Sequence, residues 1–132
     1  MPNSAQIRFD ASSSIPAWRQ IVSQLRTLII EGVLAPGDSL PPVRQIALDL
    51  GIHFNTVAEA YRALAQDGFL EIVHGHRARV IERQPDSEAG PQVAENFCLK
   101  LRELVAETRA QGLKAQKVAN ELRRLADALE KS

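Results

Sequence analysis

The segment His53-Phe54-Asn55-Thr56 places hydrogen-bonding and aromatic side chains at the start of an amphipathic stretch. Asparagine can form two hydrogen bonds with adenine, and histidine or threonine can reach bases or phosphates. Asn55 has a second interpretation, because asparagine is also a favoured helix N-cap. Phe54 has two interpretations as well, a hydrophobic staple or a contact to a thymine methyl group. Side chains of these types could contact DNA if the segment opens a recognition helix, and these alternatives remain open.

Arginines flank this segment on both sides. Arg44 stands at the start of the preceding helical stretch, where a cation is unfavourable by about 0.3–1 kcal/mol unless it has an anionic partner. That partner is either a DNA phosphate or one of the nearby acids, Asp38 and Asp49. Arg62 lies further along and is either solvated or in contact with a phosphate. His74-Gly75-His76-Arg77 adds cations and a glycine between two strand-like runs.

The residue types do not favour a metal site, an enzyme or a membrane protein. The three histidines are not joined by the cysteines or acids that complete a zinc site. We find no nucleophile–base pair and no glycine-rich phosphate loop, so neither an enzyme nor a cofactor is expected. The single cysteine, Cys98, excludes an intrachain disulfide and fits a reducing compartment. No apolar stretch approaches the roughly 20 residues that cross a bilayer. The sequence therefore predicts a cytoplasmic protein without membrane contact.

Charge does not favour DNA binding by itself. The chain has 16 basic and 16 acidic residues, for a formal net charge of zero. DNA affinity depends on neutralising phosphates with cations. A neutral domain must therefore concentrate its cations on one face in order to bind DNA.

The elements that would position these residues follow from hydrophobic spacing. Apolar residues at three- and four-residue steps predict helices, and Gly51 ends the second of them. A short helix, a glycine-containing turn and another helix form a helix-turn-helix, and the hairpin after it is a wing. The predicted helices span residues 16–31, 43–50 and 55–66 or 67, and the predicted strands span 7–10, 69–73 and 78–81.

The remainder of the chain predicts a dimerisation tail. Residues 84–91 are polar and punctuated by proline and glycine, as in a linker. Residues 92–132 form two amphipathic helices that Gly112 separates, and these cannot bury both apolar stripes alone. A symmetric homodimer is the simplest partner, with contacts at Phe97, Leu101, Leu104, Val118, Leu122, Leu125 and Leu129. The predicted fold is α+β, with a winged helix-turn-helix DNA-binding domain over residues 1–83 and an all-α tail.

The segment from Ile30 to Gly75 resembles the DNA-binding domain of the GntR family of bacterial regulators. The matching elements are Ile30, Gly32, Pro36-Gly37-Asp38, Leu40-Pro41, Arg44, Leu50-Gly51-Ile52, Asn55-Thr56-Val57, Ala60-Tyr61, Leu64, Gly68 and Gly75. The resemblance covers roughly residues 15–81, and the short two-helix tail is similar to the YtrA subfamily. One departure lies in the wing, where Arg77 stands at the second glycine of the family's Gly-x-Gly pattern.

The resemblance implies a homodimer that binds a palindromic operator and usually represses its own operon, often one encoding a transporter. It also implies that the wing tip, residues 74–77, approaches the minor groove, where a guanidinium meets strong negative potential. The neutral net charge permits an alternative function, a winged-helix module for protein–protein contact. The operator, the regulated genes, any small-molecule effector and the choice between repression and activation are not readable from the residues.

Overall fold

The computed structural model of the chain describes residues 7–73, 77–82 and 88–131. The chain divides between residues 83 and 84 into two compact units. The first unit contains three helices and a hairpin, and the second contains two helices. The elements are α1 (Ala17–Ile30), α2 (Val43–Leu50), α3 (Phe54–Gln66), β1 (Leu70–Val73), β2 (Arg77–Val80), α4 (Pro91–Ala110) and α5 (Ala115–Glu130). This confirms the predicted α+β class with a winged helix-turn-helix and a two-helix tail.

The segment before α1 differs from the prediction. Residues 7–10 form no strand. Instead, Gln24 accepts a hydrogen bond from the Arg8 N–H at 2.7 Å and donates to the Arg8 carbonyl. Gln20 accepts from the Asp10 N–H at 2.9 Å. These α1 side chains satisfy backbone groups that a neighbouring strand would otherwise have satisfied, so the strand prediction was wrong.

The helix-turn-helix forms as its spacing predicts. Helix α2 ends at Gly51, which has the left-handed φ of +69° that glycine adopts without a Cβ penalty. Helix α3 packs against both α1 and α2. Its buried face is the predicted one, Val57, Ala60, Tyr61 and Leu64. The largest fully buried side chains of this unit are Ile21, Leu25, Leu34, Ile46, Val57, Leu64 and Val80.

The wing is a regular antiparallel hairpin in its described part. Its register runs from Leu70 opposite Val80 to Val73 opposite Arg77. Arg77, which replaces a family glycine, is simply the first residue of β2 and keeps the strand pairing regular. The predicted tip residues His74, Gly75 and His76 lie outside the described residues.

A third stretch of chain pairs with the free edge of β2. The N–H groups of Gly37 and Leu40 donate to carbonyls of β2, and the Val80 N–H donates to the Asp38 carbonyl, each at 2.8 Å. Strand β2 is therefore bonded along both edges. These bonds attach the wing to the segment that leads into α2.

The second unit consists of two helices joined by a glycine turn. Gly112 has a φ of +101°, and the Leu113 N–H donates to the Thr108 carbonyl at 3.0 Å. Neither α4 nor α5 contains a buried residue. The predicted helix break at Gly112 is confirmed. Of the predicted linker, residues 84–87 lie outside the described residues.

Candidate nucleic-acid interface

The start of α2 presents a cation without an acidic partner. Its N-cap, Pro42, supplies no side-chain hydrogen bond, and its first turn holds no acid. Arg44 is the second residue of the helix and is exposed. Asp38 accepts from a backbone N–H three residues earlier at 2.9 Å, and Asp49 accepts from a side-chain amide of α2 at 2.9 Å. Among the described residues Arg44 forms no ion pair, so the expected alternative of pairing with Asp38 or Asp49 was wrong.

Three side chains form a continuous contact between the starts of α2 and α3. The Arg44 guanidinium carbon lies 6.0 Å from the centroid of the Phe54 ring, within cation–π range. The Phe54 ring stacks on His53 with centroids 5.0 Å apart and an interplanar angle of 23°. Phe54 is nevertheless 47% exposed. A cation and an aromatic ring therefore face solvent side by side.

The cap of α3 is His53, not Asn55. The His53 Nδ1 accepts a hydrogen bond from the Asn55 N–H at 3.1 Å. Asn55 is the second residue of the helix, and its side chain is exposed and without a hydrogen bond among the described residues. The N-cap interpretation of Asn55 was therefore wrong, and its amide is available to a ligand. Histidine is not a usual N-cap residue, which is why the sequence did not indicate this role.

The staple interpretation of Phe54 was also wrong. A hydrophobic staple joins the residue before the N-cap to the fourth residue of the helix. With His53 as the cap, those positions hold Ile52, which packs on the core, and Val57, which is fully buried. Phe54 is the first helical residue and lies outside this arrangement. Its exposed ring has no role in the core.

One hydrogen bond positions α3 against the chain leading into α2. The Tyr61 hydroxyl donates to the Pro41 carbonyl at 2.6 Å. Tyr61 is only 2% exposed, so its hydroxyl is internal and does not reach the surface. Burial raises the pKa of Tyr61 above its usual value because desolvation disfavours the phenolate. Tyr61 thus holds the start of α2, with Arg44, next to the outer face of α3.

The starts of α2 and α3 line a concave surface that encloses a volume of about 380 Å³. Arg44 and Arg62 both line it, together with the exposed Asn55. Neither Arg62 nor Asn55 has a side-chain partner among the described residues. The remaining lining residues are Pro42, Val43, Phe54 and Ala58. The concavity therefore combines two cations, one amide and several apolar side chains.

Sequence reasoning identified part of this surface and missed the rest. It named Arg44, Phe54, Asn55 and Arg62, which the structure brings together. It missed Ala58, although Ala58 follows Asn55 by three residues and so lies on the same helix face. Thr56, also predicted, is partly buried and does not line the concavity. Pro42 and Val43 could be found only from the packing of α2 beside α3.

The wing contributes one described candidate, Arg77, which is exposed at the start of β2. The neighbouring Arg79 is engaged, since it forms an ion pair with Glu71 at 2.7 Å. The other predicted wing contacts, His74, Gly75 and His76, lie outside the described residues. In the described ranges no three histidine, cysteine or acidic side chains are grouped as a metal site would require. No described helix is long and apolar enough to cross a membrane.

The tail exposes most of its apolar side chains. Of the predicted dimer residues, Leu101, Val118 and Leu125 are partly buried within the unit. The other four are exposed: Phe97 63%, Leu104 56%, Leu122 37% and Leu129 55%. Val93 and Leu113 are also exposed, and Leu99 is exposed on another face of α4. The two helices therefore expose a large apolar surface to solvent.

Comparison with known proteins agrees with this architecture. Residues 17–80 match the family described as bacterial regulatory proteins, gntR family. The chain is 37% identical over 76 residues to the HTH-type transcriptional repressor YtrA of Bacillus subtilis (strain 168), and the match covers 58% of each chain. The chain thus spans just over half of that relative.

Two further similarities extend into the tail. The HTH-type transcriptional regulator Rv1152 of Mycobacterium tuberculosis (strain H37Rv) is 37% identical over 103 residues, covering 75% of this chain and 79% of that protein. The solved structure of YtrA from Sulfolobus acidocaldarius, a GntR-family transcription factor, has a TM-score of 0.57 and 30% identity, with 94% and 99% of the two chains covered. The predicted resemblance to short, YtrA-type members is confirmed, and the chain belongs to the GntR family.

Proposed function

We propose that this chain is a sequence-specific DNA-binding transcriptional regulator that represses by occupying a palindromic operator as a homodimer. The observation that supports this most directly is the concave surface at the starts of α2 and α3. It presents the exposed side chains of Arg44, Asn55 and Arg62 to solvent side by side. A neutral chain must place cations together on the face that meets DNA, and two arginines line this surface.

The start of α2 is suited to a backbone phosphate. The N–H groups of Val43 and Arg44 have no acceptor within the described part of the chain, as is usual for a first helical turn. Such N–H groups and the helix dipole favour an anion. The Arg44 guanidinium adds a charged fork beside them. A phosphate there would offset the unfavourable placement of a cation at a helix start.

Helix α3 then serves as the recognition helix in the major groove. Asn55 can form paired hydrogen bonds with the N6 and N7 atoms of adenine, and Arg62 can reach guanine or a phosphate. His53 positions Asn55 by capping the helix, and its exposed ring would lie near the proposed DNA contact. In the wing, Arg77 would approach the adjacent minor groove, as the family resemblance implies.

Dimerisation through the tail would supply the second recognition helix. The exposed apolar side chains of α4 and α5 cost free energy in water, and a second copy could cover them symmetrically. Two half-sites one DNA turn apart can then be bound together. YtrA of Bacillus subtilis is named a repressor, and repression of a transporter operon is the proposed biological role. Such a protein acts on DNA in the cytoplasm and performs no catalysis.

The test is a binding titration with duplexes selected from random sequence by the full chain. Wild type should bind the selected duplex with steeply salt-dependent affinity and a stoichiometry of two protomers per site. Arg44→Ala should weaken binding to all sequences alike and reduce the salt slope by about 1 per protomer. Arg26→Ala, an exposed arginine of α1 that does not line the concavity, is the matched control.

The alternative function, a module for protein–protein contact, makes a different prediction. The selection would then yield no preferred sequence, and the residual affinity would not depend on Arg44. Equal effects of the Arg44 and Arg26 substitutions would contradict the proposed interface.

A further inference from the structure

Apolar and cationic side chains line the concave surface together. The apolar pair Phe54 and Ala58 is called the apolar floor below, and the cationic pair Arg44 and Arg62 the cationic rim. Phe54 remains 47% exposed, and the ring is held in place by His53 at 5.0 Å and by the Arg44 guanidinium carbon at 6.0 Å. The ring neither staples its helix nor belongs to the hydrophobic core, so one of its faces is left for a ligand. Its fixed position suggests that it is prepared for an apolar ligand group.

The cationic rim identifies the kind of molecule that presents this group. Arg44 and Arg62 favour a polyanion over the concavity, and on duplex DNA the apolar group exposed in the major groove is the C5-methyl of thymine. Asn55 adjoins Phe54 and can bond to adenine in the same groove. A protein partner would need acidic side chains on both sides of an apolar one. The experiment below distinguishes the two kinds of partner, because it measures sequence-preferring binding to duplex DNA.

We propose that Phe54, with Ala58, reads a thymine methyl group in each operator half-site. The proposal rests on the proposed function, since it requires α3 to enter the major groove. In this arrangement Arg44 binds a phosphate and so fixes the distance between α3 and the DNA backbone. The apolar floor then discriminates thymine from cytosine and from uracil by methyl burial alone. Specificity at this position comes from a methyl group and not from a hydrogen bond.

The test removes only that methyl group. In the selected duplex, each thymine of a half-site is replaced in turn by deoxyuridine, which keeps every base-pairing atom. Replacing the thymine that contacts Phe54 in one half-site should weaken wild-type binding roughly fourfold. Replacing it in both half-sites should weaken binding roughly fifteenfold. For Phe54→Ala the same replacement should change affinity by less than about twofold, because the apolar partner is gone.

Matched variants protect the test against a general loss of folding. Phe54→Leu keeps an apolar side chain and should retain most of the methyl effect. Circular dichroism of each variant checks that helix content is unchanged. The proposal is overturned if no deoxyuridine replacement weakens wild-type binding, or if wild type and Phe54→Ala lose the same factor, while the Arg44-dependent, salt-dependent binding persists. Absence of any sequence-preferring duplex binding instead overturns the proposed function and this proposal together.

Discussion

At the scale of single residues, Tyr61 makes the free energy of unfolding depend on pH in the alkaline range. Burial raises its pKa, so the folded chain keeps the phenolic proton at a pH where the unfolded chain has begun to lose it. The folded state then binds more protons than the unfolded state. The contribution of Tyr61 to the free energy of unfolding is therefore complete below about pH 10 and falls as the pH rises further.

Replacing this residue with Tyr61→Phe gives two expected results. Near neutral pH the variant should be about 1 kcal/mol less stable, because the Pro41 carbonyl loses its hydrogen bond. Between about pH 8 and about pH 11, wild type should lose more stability than the variant, as measured by denaturant unfolding at each pH. Tyr61 is the only tyrosine, so phenolate absorbance follows its titration directly. An equal loss in both proteins would show that Tyr61 ionises normally.

Alanine substitutions of His53 and Asn55 should affect different properties, the stability of the chain for His53 and its DNA affinity for Asn55. His53→Ala removes the N-cap hydrogen bond to the Asn55 N–H and should destabilise the chain by about 1 kcal/mol. Asn55→Ala removes no internal bond, so stability should stay within about 0.5 kcal/mol of wild type, while affinity for the selected duplex falls by about tenfold or more. Thermal unfolding and DNA titration of both variants separate the roles. A large stability loss in Asn55→Ala would contradict the assigned cap.

At the scale of elements, the angle between α2 and α3 depends on the backbone at Gly51. A Cβ there meets nothing within 4 Å, yet the φ is +69°, so the cost of Gly51→Ala is backbone strain alone. We expect a loss of about 1 kcal/mol in the free energy of unfolding. Gly51→Asn is the matched control, because asparagine meets the same open space but tolerates the left-handed region better than alanine does. Both are compared by denaturant unfolding, and equal stabilities would contradict the strained turn.

The elements show which features can be predicted from spacing. The buried face of α3 and the end of α2 at Gly51 followed from local periodicity and from glycine, and both are confirmed. The segment 7–10 had the alternation of a strand, but its backbone is bonded by glutamines that lie 10 and 16 residues away in α1. Such side-chain bonds leave no periodic signal. Local patterns therefore predicted the helices and failed for the segment whose partners are distant.

The candidate interface divides in the same way. Arg44, Phe54 and Asn55 were identifiable because each stands at a helix start in a helix-turn-helix pattern, and Arg62 because it is a cation further along the second of these helices. Their arrangement around one concavity was not, since it depends on the Tyr61 hydroxyl bonded to a carbonyl 20 residues earlier. The unusual histidine cap likewise could not be inferred, because competing caps were available in the same short segment.

At the scale of the whole molecule, the proposed homodimer would be held together by the apolar surface of the tail. Leu104 is 56% exposed and lies on the apolar stripe of α4, whereas Ala106 is exposed on the opposite face. Leu104→Glu would place a charge in the proposed dimer contact, where burial without a partner is costly. Ala106→Glu adds the same charge where solvent can reach it and is the control.

The expected result is a separation of assembly from DNA contact. By sedimentation, wild type and Ala106→Glu should be dimers at micromolar concentration, and Leu104→Glu should be mostly monomeric. Leu104→Glu should still bind an isolated half-site like wild type, because its recognition surface is unchanged. Its affinity for the full palindrome should fall by about 100-fold, since the second half-site no longer benefits from a linked protomer. Full-palindrome affinity equal to wild type in a monomeric Leu104→Glu would show that operator binding does not need the tail.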